Sequence, residues 1–545
     1  MSRNILKEIV ARRKKDIKAD GFDGGFNIPA ERSRPVHQFL AEKGVILEVK
    51  RASPSKGDIA PSLDSYVTAY EYAKNGARAI SCLTEKNWFK GTLEDLMKVC
   101  AAVDAFERDT GLKGPAVLRK DFLFDVKDVE IAYRAGADAV LLIARILSAK
   151  KMLEMAKKAE ELGISVLIEI RKDRDLKKLE YVMQRVSGKN IVCGVNSRDL
   201  KNFTVDTLVP AKMLERIRKI NSGARVVFES GILSPEAAAF AGSLGFSGIL
   251  LGEAAAKNPA KAGEFIKAFE SSSLNQNGKF WLDYAAKLEA KNSKPLVKIC
   301  GNTNAKDAVL AARNGADMLG FIIWQKSKRN VSAQKIREIR EAVNNLAAER
   351  RGMLFSKGIA LRFNTPCFDA ERRGIKPSAR IKASGVKLPK FVGVIVEPES
   401  EAAAEAYQLV KEGVLDAIQV HTFEAAKAFL QKKELAALPH YCAVNISCED
   451  DIKKLDELAK LGEPRILVDA HSAETPGGTG KTIDETLLSV IAKKYSLWIA
   501  GGLSLENIRR IKKTFKPELV DLVSSLEKEP GIKDAEKLIT FLEKI

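Results

Sequence analysis

Seven cysteines and four histidines in 545 residues are too few for most of what those residues build. The cysteines are scattered and odd in number, so no disulfide framework fits, and no pair has the spacing of a zinc site. A reducing compartment suits such thiols. Long apolar runs are also missing, and none approaches the roughly 18 residues of a membrane span. The opening "MSRNILKEIVARRKKDIKADG" has no apolar h-region and reads as an amphipathic helix. Glu8, Asp16 and Asp20 set it apart from an acid-poor presequence. A cytoplasmic protein with no membrane partner is the expectation. No dinucleotide fingerprint and no nucleic-acid motif occurs, so neither cofactor nor nucleic acid is expected.

What is present is an ordinary globular composition, 46% hydrophobic and 30% charged. One hydrophobic core stops growing at about 250–300 residues, so a chain of this length implies two domains. Basic residues exceed acidic ones by 90 to 71, a net charge of +19. The surplus is spread over both halves, which fits anionic substrates or a lysine-rich surface better than a nucleic-acid stripe.

Short β-branched runs alternate with helical patterns, the signature of βαβ units and a parallel sheet. The first half holds eight: "VILEV" at 45, "AISCL" at 79, "AVLR" at 116, "AVLLIA" at 139, "SVLIEI" at 165, "IVCGVN" at 191, "RVVFES" at 225 and "SGILLG" at 247. Eight strands in about 250 residues is the arithmetic of a (β/α)8 barrel. A helix over 150–162 between two of them ends at Gly163. The count then restarts at "PLVKIC" (295) and runs through "DMLGFII", "FVGVIV", "LDAIQVH", "YCAVNIS", "RILVDA" and "LWIAGG" to "LVDLVSS" (519). Two tandem (β/α)8 TIM barrels of the α/β class follow. The polar segment 270–279 marks their boundary, and residues 280–291 read as a short helix. Residues 333–351 supply a crossover helix, and the basic, Gly- and Pro-punctuated stretch at about 352–390 is an insertion.

Barrel chemistry sits where strands enter their following loops. Glu48 and Lys50 are two apart and share one side of the first strand. The loop after it carries Arg51, Ser53, Ser55 and Lys56. Lys120 and Asp121 end the third strand, and Glu169 lies near the end of the fifth. Asn196 and Arg198 follow the sixth, and Glu229, Ser230 and Gly231 the seventh. Two lysines and three glutamates at one end of apolar strands are expensive unless paired or used. Gly231 and Gly252 free backbone N–H groups where such barrels seat a phosphate.

The strings "EVKRASPSKG" (48–57), "LTEKNWFKG" (83–91), "LRKDF" (118–122), "GADAVLLIARIL" (136–147), "LIEI" (167–170), "GVNSRDL" (194–200), "ESGI" (229–232) and "LLGEA" (250–254) resemble indole-3-glycerol-phosphate synthase. The resemblance implies conversion of 1-(2-carboxyphenylamino)-1-deoxyribulose 5-phosphate to indole-3-glycerol phosphate, CO2 and water. It implies Lys120 as the acid of ring closure, Glu169 and Lys50 in dehydration, and Glu48 and Glu229 as stabilisers of cationic intermediates. Asn196 and Arg198 would orient the anthranilate part and Ser53 would help seat the substrate. Ser230, Gly231, Gly252 and Glu253 would line the phosphate end. Glu253 departs from the family's small hydroxyl residue, so its carboxylate must point away from phosphate.

In the second half Cys300 ends the first strand, a buried structural cysteine or a base. Asp469 ends the sixth, before a Gly-rich turn at 477–480 that reads as an anion-binding lid or backbone cradle. The strings "KICG" (298–301), "GADMLGFI" (315–322), "SKRNVS" (327–332), "VDAHSAETPGGTGK" (468–481) and "IAGGLSLENI" (499–508) resemble phosphoribosylanthranilate isomerase. That implies an Amadori rearrangement in which Asp469 protonates the furanose oxygen and the Cys300 thiolate takes the C2′ proton. Arg329 would bind the anthranilate carboxylate. Gly478, Gly501, Gly502 and the turn of Ser524 and Ser525 would hold phosphate. Two residues depart from the family pattern, Thr422 and Ser525, each standing for a glycine. His421 is expected to be a structural donor.

The expected organisation is a synthase barrel over 1–270 with an N-terminal helical extension, a linker and short helix over 271–293, and an isomerase barrel over 294–545. The expected protein is a monomer acting on small phosphorylated anthranilates with no metal. The alternatives are an active synthase fused to an isomerase barrel that only binds ligand, a pair of barrels acting on other phosphosugars, and a scaffold of inactive barrels.

Overall fold

All sixteen apolar runs are strands, and each is buried along nearly its whole length. Strands covered on both faces need continuous apolar sequence, not the alternation of a half-exposed sheet. The computed structural model describes residues 5–199, 204–291, 294–355, 388–470 and 484–545. Within these, the chain divides into two compact units, Met1–Ala286 with Ala459–Pro464, and Lys287–Leu458 with Arg465–Ile545.

The first unit closes strands β1 (Gly44–Val49), β2 (Ala79–Leu83), β3 (Ala116–Lys120), β4 (Ala139–Ile143), β5 (Ser165–Ile170), β6 (Ile191–Asn196), β7 (Arg225–Glu229) and β8 (Gly248–Leu251) into a parallel barrel. Each strand pairs with its neighbour in sequence and β8 returns to β1, with Ile46 against Leu250 on one side and Ala79 on the other. The second unit repeats this with β9 (Leu296–Ile299), β10 (Met318–Ile322), β11 (Lys390–Ile395), β12 (Ala417–His421), β13 (His440–Ile446), β14 (Ile466–Ala470), β15 (Trp498–Ile499) and β16 (Leu519–Leu522).

The crossover helices start on side chains that accept their otherwise unpaired amides. Thr92 and Asp95 form a reciprocal capping box, as do Asp125 and Asp128. The helix expected over 150–162 spans Ala149–Glu161, and Gly163 takes the left-handed φ of 71° that ends it. The helix expected over 280–291 begins earlier, at Gln276, because the Asn275 side chain accepts from the amide of Gly278. The helix expected over 333–351 runs on to Phe355. Most of the insertion at about 352–390 lies outside the described residues.

The N-terminal extension is the helix Ile5–Asp20, laid on the first barrel. Leu6 and Ile9 are buried in that barrel's core cluster, worth about 1.5–3 kcal/mol each. Its other anchor is ionic. Arg13 reaches Asp121 at 2.9 Å and Asp128 at 2.5 Å, and both carboxylates are fully buried. Burial alone would lower the Arg13 guanidinium, and the two carboxylates reverse this.

Thr422, which follows β12, has φ 88° and ψ 149°, a backbone conformation natural to glycine and strained for a β-branched residue. Its hydroxyl compensates in part by accepting from the Ala425 amide at the start of the helix Phe423–Gln431. Glycine loses little as a cap, while the strain is of order 1–3 kcal/mol. Thr422→Gly should therefore stabilise the second barrel by about 1 kcal/mol, read as a rise in its thermal midpoint.

Candidate active sites

Eleven of the twelve residues given a role in the first half line one cavity at the C-terminal mouth of the first barrel: Glu48, Lys50, Ser53, Lys120, Glu169, Asn196, Arg198, Ser230, Gly231, Gly252 and Glu253. Glu229 lies just beneath, 1% exposed, and meets Lys120. The Lys120 ammonium stands 2.9 Å from Glu48 Oε2 and 3.5 Å from Glu229 Oε2, while Lys50 donates to Glu48 Oε1 at 2.5 Å. Glu48 thus serves two lysines at once, Lys50 just beyond its own strand and Lys120 at the end of β3.

Glycines make the space. A Cβ on Gly252 would stand 2.5 Å from both Glu48 Oε1 and Lys50 Nζ, and one on Gly194 would collide with Glu229. Ser230 and Gly231 turn with φ of 69° and 81°. The Glu253 carboxylate, at the rim of the cavity, accepts from Lys257 at 2.8 Å. The apolar half of the cavity was not anticipated: Ile5, Leu6 and Ile9 of the N-terminal helix join Phe89, Phe122 and Leu233. Two residues singled out with the site serve the frame instead. Arg51 forms a two-pronged pair with Asp95, and Asp121 takes Arg13 and the Thr84 hydroxyl.

Burial would raise the Glu48 carboxyl, yet Lys120 and Lys50 overcome it and hold the group at about 2. Burial would lower the Lys120 amine, and the surrounding glutamates push it up instead. Glu169 and Glu229 go the other way. Burial raises both above the ordinary carboxyl range, and Lys120 offsets only part of this. Lys120 and Lys50 together favour the ionised form most strongly at Glu48, the carboxylate that both reach.

The second barrel has a mouth cavity of about 620 Å³ lined by Cys300, Arg329, Asp469, Gly501, Gly502, Ser524 and Ser525. Gly478 and the turn around it lie outside the described residues. Cys300 is buried over the backbone of Gly320, where a Cβ would stand 2.4 Å from its sulfur. Burial pushes its thiol up, with Lys298 offsetting this in part. Arg329 is gripped by Glu527, with Nε at 3.0 Å from both oxygens and Nη2 at 2.8 Å from one, so Nη1 remains for a ligand. Ser525 needs no left-handed backbone, and its buried hydroxyl has no partner among the described residues.

Beneath this mouth lies a polar layer that the sequence reading passed over. Lys298, fully buried, pairs with Asp521 at 2.6 Å and reaches across the lumen to Gln419 Oε1 at 2.6 Å. The period-two rule that linked Glu48 to Lys50 also links Lys298 to Cys300 and Gln419 to His421. Among the described residues no cluster of three or more metal-type ligands occurs, and no helix is long and apolar enough to cross a membrane.

Residues 6–269 match the family model for indole-3-glycerol phosphate synthase. Over 272 residues the chain is 35% identical to an indole-3-glycerol phosphate synthase of Exiguobacterium sibiricum, covering 49% of this chain and 96% of that protein. The chain belongs to the indole-3-glycerol phosphate synthase family. Its residues 358–544 match the model for N-(5'phosphoribosyl)anthranilate isomerase, so a second family is fused to the first. β9 and β10, with Cys300 and Arg329 after them, precede that matched span. A tryptophan biosynthesis protein of Phytophthora nicotianae is 28% identical over 99% of this chain and 96% of its own length. A multifunctional tryptophan biosynthesis protein of Schizosaccharomyces pombe is 30% identical over 92% of this chain. The chain spans 59% of the length of that protein.

The charge arrangement can be checked directly. In a carboxyl NMR titration Glu48 should titrate below the ordinary glutamate value of about 4.3, and Glu169 and Glu229 above it. Lys120→Met should move Glu48 upward.

Proposed function

We propose that the chain catalyses two reactions on phosphorylated anthranilates, the second barrel making the substrate of the first. The observation that carries this reading is the Lys120 ammonium held between Glu48 and Glu229 at a mouth with one apolar wall of Ile5, Leu6, Ile9, Phe89 and Phe122. A buried cation beside an apolar wall suits a substrate with an aromatic ring and a ketone to be protonated.

In the first barrel the anthranilate ring of 1-(2-carboxyphenylamino)-1-deoxyribulose 5-phosphate attacks its own ketone carbon, and Lys120 supplies the proton to the oxygen. Loss of CO2 returns the ring to aromaticity. Expulsion of the hydroxyl as water then needs an acid. Glu169, whose carboxyl burial raises above the ordinary range, supplies it, with Lys50 as its partner. Glu48, which stays ionised, stabilises the cationic stages. Asn196 and Arg198 orient the anthranilate end, and Ser53 helps seat the substrate. Ser230, Gly231 and Gly252 offer the phosphate their backbone, while Glu253 is neutralised by Lys257.

In the second barrel Asp469 protonates the furanose oxygen of N-(5′-phosphoribosyl)anthranilate as the ring opens to a Schiff base. Cys300 then removes the C2′ proton, and the enol becomes the ketone. The Cys300 thiol is raised because burial outweighs the help of Lys298, so ionisation must precede this proton transfer. Arg329, aimed by Glu527, takes the carboxylate. The turn of Ser524 and Ser525 with Gly501 and Gly502 takes the phosphate, and the unpaired Ser525 hydroxyl supports its place there.

Purified protein given phosphoribosylanthranilate should form indole-3-glycerol phosphate. Cys300→Ala should block the first step and Lys120→Ala the second, each by roughly 10²-fold or more. Conversion of only the carboxyphenylamino-deoxyribulose phosphate would leave the second barrel as a binding module, and failure with both substrates would overturn the proposal.

The two steps should also differ in pH dependence. An acid must hold its proton, so the synthase rate falls as pH rises through the raised carboxyl of Glu169, and Glu169→Gln removes that limb along with most of the rate. A base must have lost its proton, so the isomerase rate climbs into the alkaline range where the Cys300 thiol ionises.

A further inference from the structure

The polar layer under the second mouth fixes something that coordinates of heavy atoms do not show by themselves, the position of a ring proton. Gln419 Oε1 receives two donors, the Lys298 ammonium at 2.6 Å and the Tyr441 hydroxyl at 2.9 Å. An ammonium has no acceptor, so rotating the Gln419 amide by half a turn would set two donors face to face. The amide nitrogen is therefore committed to the other side, where it stands 3.3 Å from His421 Nδ1. It can only donate, so Nδ1 must accept and the single proton of the neutral ring belongs on Nε2.

Burial and Lys298 keep the ring neutral, holding His421 near 4. Its Nε2 faces Asp469 Oδ2 at 3.9 Å, a gap that a small shift of either side chain closes to a hydrogen bond, near the Asn445 amide and in the wall of the same cavity. We infer that Gln419, clamped by Lys298 and Tyr441, is a positioning residue that locks His421 as the Nε2–H tautomer and so presents a hydrogen-bond donor to Asp469. A donor there gains strength as Asp469 gives up its proton and becomes anionic, which favours the ring-opening transition state over the ground state. The consequence for catalysis rests on the isomerase reading, whereas the tautomer does not.

Nitrogen-15 NMR of the histidine rings in the full chain tests both. The chain has only four histidines, His421→Gln assigns the signal, and His440 serves as a contrast because its Nδ1 lies 2.7 Å from the Leu438 carbonyl. The expected result is a protonated Nε2 on His421 and a protonated Nδ1 on His440. A protonated Nδ1, or a mixture, at His421 would overturn the inference with no variant needed. Gln419→Glu replaces the committed donor by an acceptor, so the His421 ring should take a proton on Nδ1. An unchanged ring there refutes the clamp. Tyr441→Phe leaves the lysine in place and should leave the tautomer unchanged. With the ring altered in Gln419→Glu, kcat for isomerisation should fall about 10²-fold with KM little changed; an unchanged kcat would remove Gln419 from the reaction. A wild-type protein with the expected tautomer and no isomerase activity would refute the isomerase reading alone.

Discussion

An ammonium inside a barrel is the constraint on which both sites depend. Moving an unpaired charge out of water costs many kcal/mol, so a lumenal lysine dictates where its partners must stand. Lys298 is fully buried and takes Asp521 from the directly adjacent position on β16. Lys120 takes Glu48 and Glu229 from β1 and β7. Once these pairs are made, the mouths are ordered before any ligand arrives, and the remaining polar side chains have little freedom in orientation.

The two barrels resolve the same constraint with opposite balances. The first mouth holds three glutamates and two lysines at its centre, and burial raises the carboxyls of Glu169 and Glu229 while the lysines hold Glu48 low. That is a reservoir of acid beside a fixed cation, which a sequence of protonation and dehydration can use. The second has its lysine neutralised from below by Asp521. Burial outweighs what Lys298 and Lys533 lend Cys300, and its thiol is raised. In the reaction we propose, Asp469 as the acid of that barrel is tuned from the side by a neutral histidine, since the same lysine that fixes Gln419 also keeps His421 from charging.

How much of this could be read in the sequence follows from which physical signals are local. Strands and barrel count were legible because continuous apolar runs bounded by glycine and capping residues are local patterns. The mouth residues of the first barrel were legible because charges at the ends of such runs stand out. Lys298 and Asp521 obey the same period-two rule but sit inside their strands, where a charge is easily taken for the start or end of a run. Gln419 carries no charge, and its role exists only because β9 and β12 face one another across the lumen. The apolar wall of the first cavity was equally hidden. Ile5, Leu6 and Ile9 look like any amphipathic helix until the helix is laid over the mouth, and Arg13, which holds it, finds partners more than a hundred residues away.

The two departures from the isomerase pattern, alike in sequence, differ in kind. Both replace an expected glycine, and backbone freedom is the obvious property lost. At Thr422 that loss is real, because the chain still takes the left-handed conformation after β12 and the side chain must bear it. The strain falls on the frame behind His421, and the threonine returns part of it as a helix cap. At Ser525 no left-handed φ is used, so nothing is lost there, and the hydroxyl adds a donor facing the cavity. A residue that departs from a family's pattern can thus tax stability at one position and add binding capacity at another. Backbone φ, which the sequence does not print, decides between them.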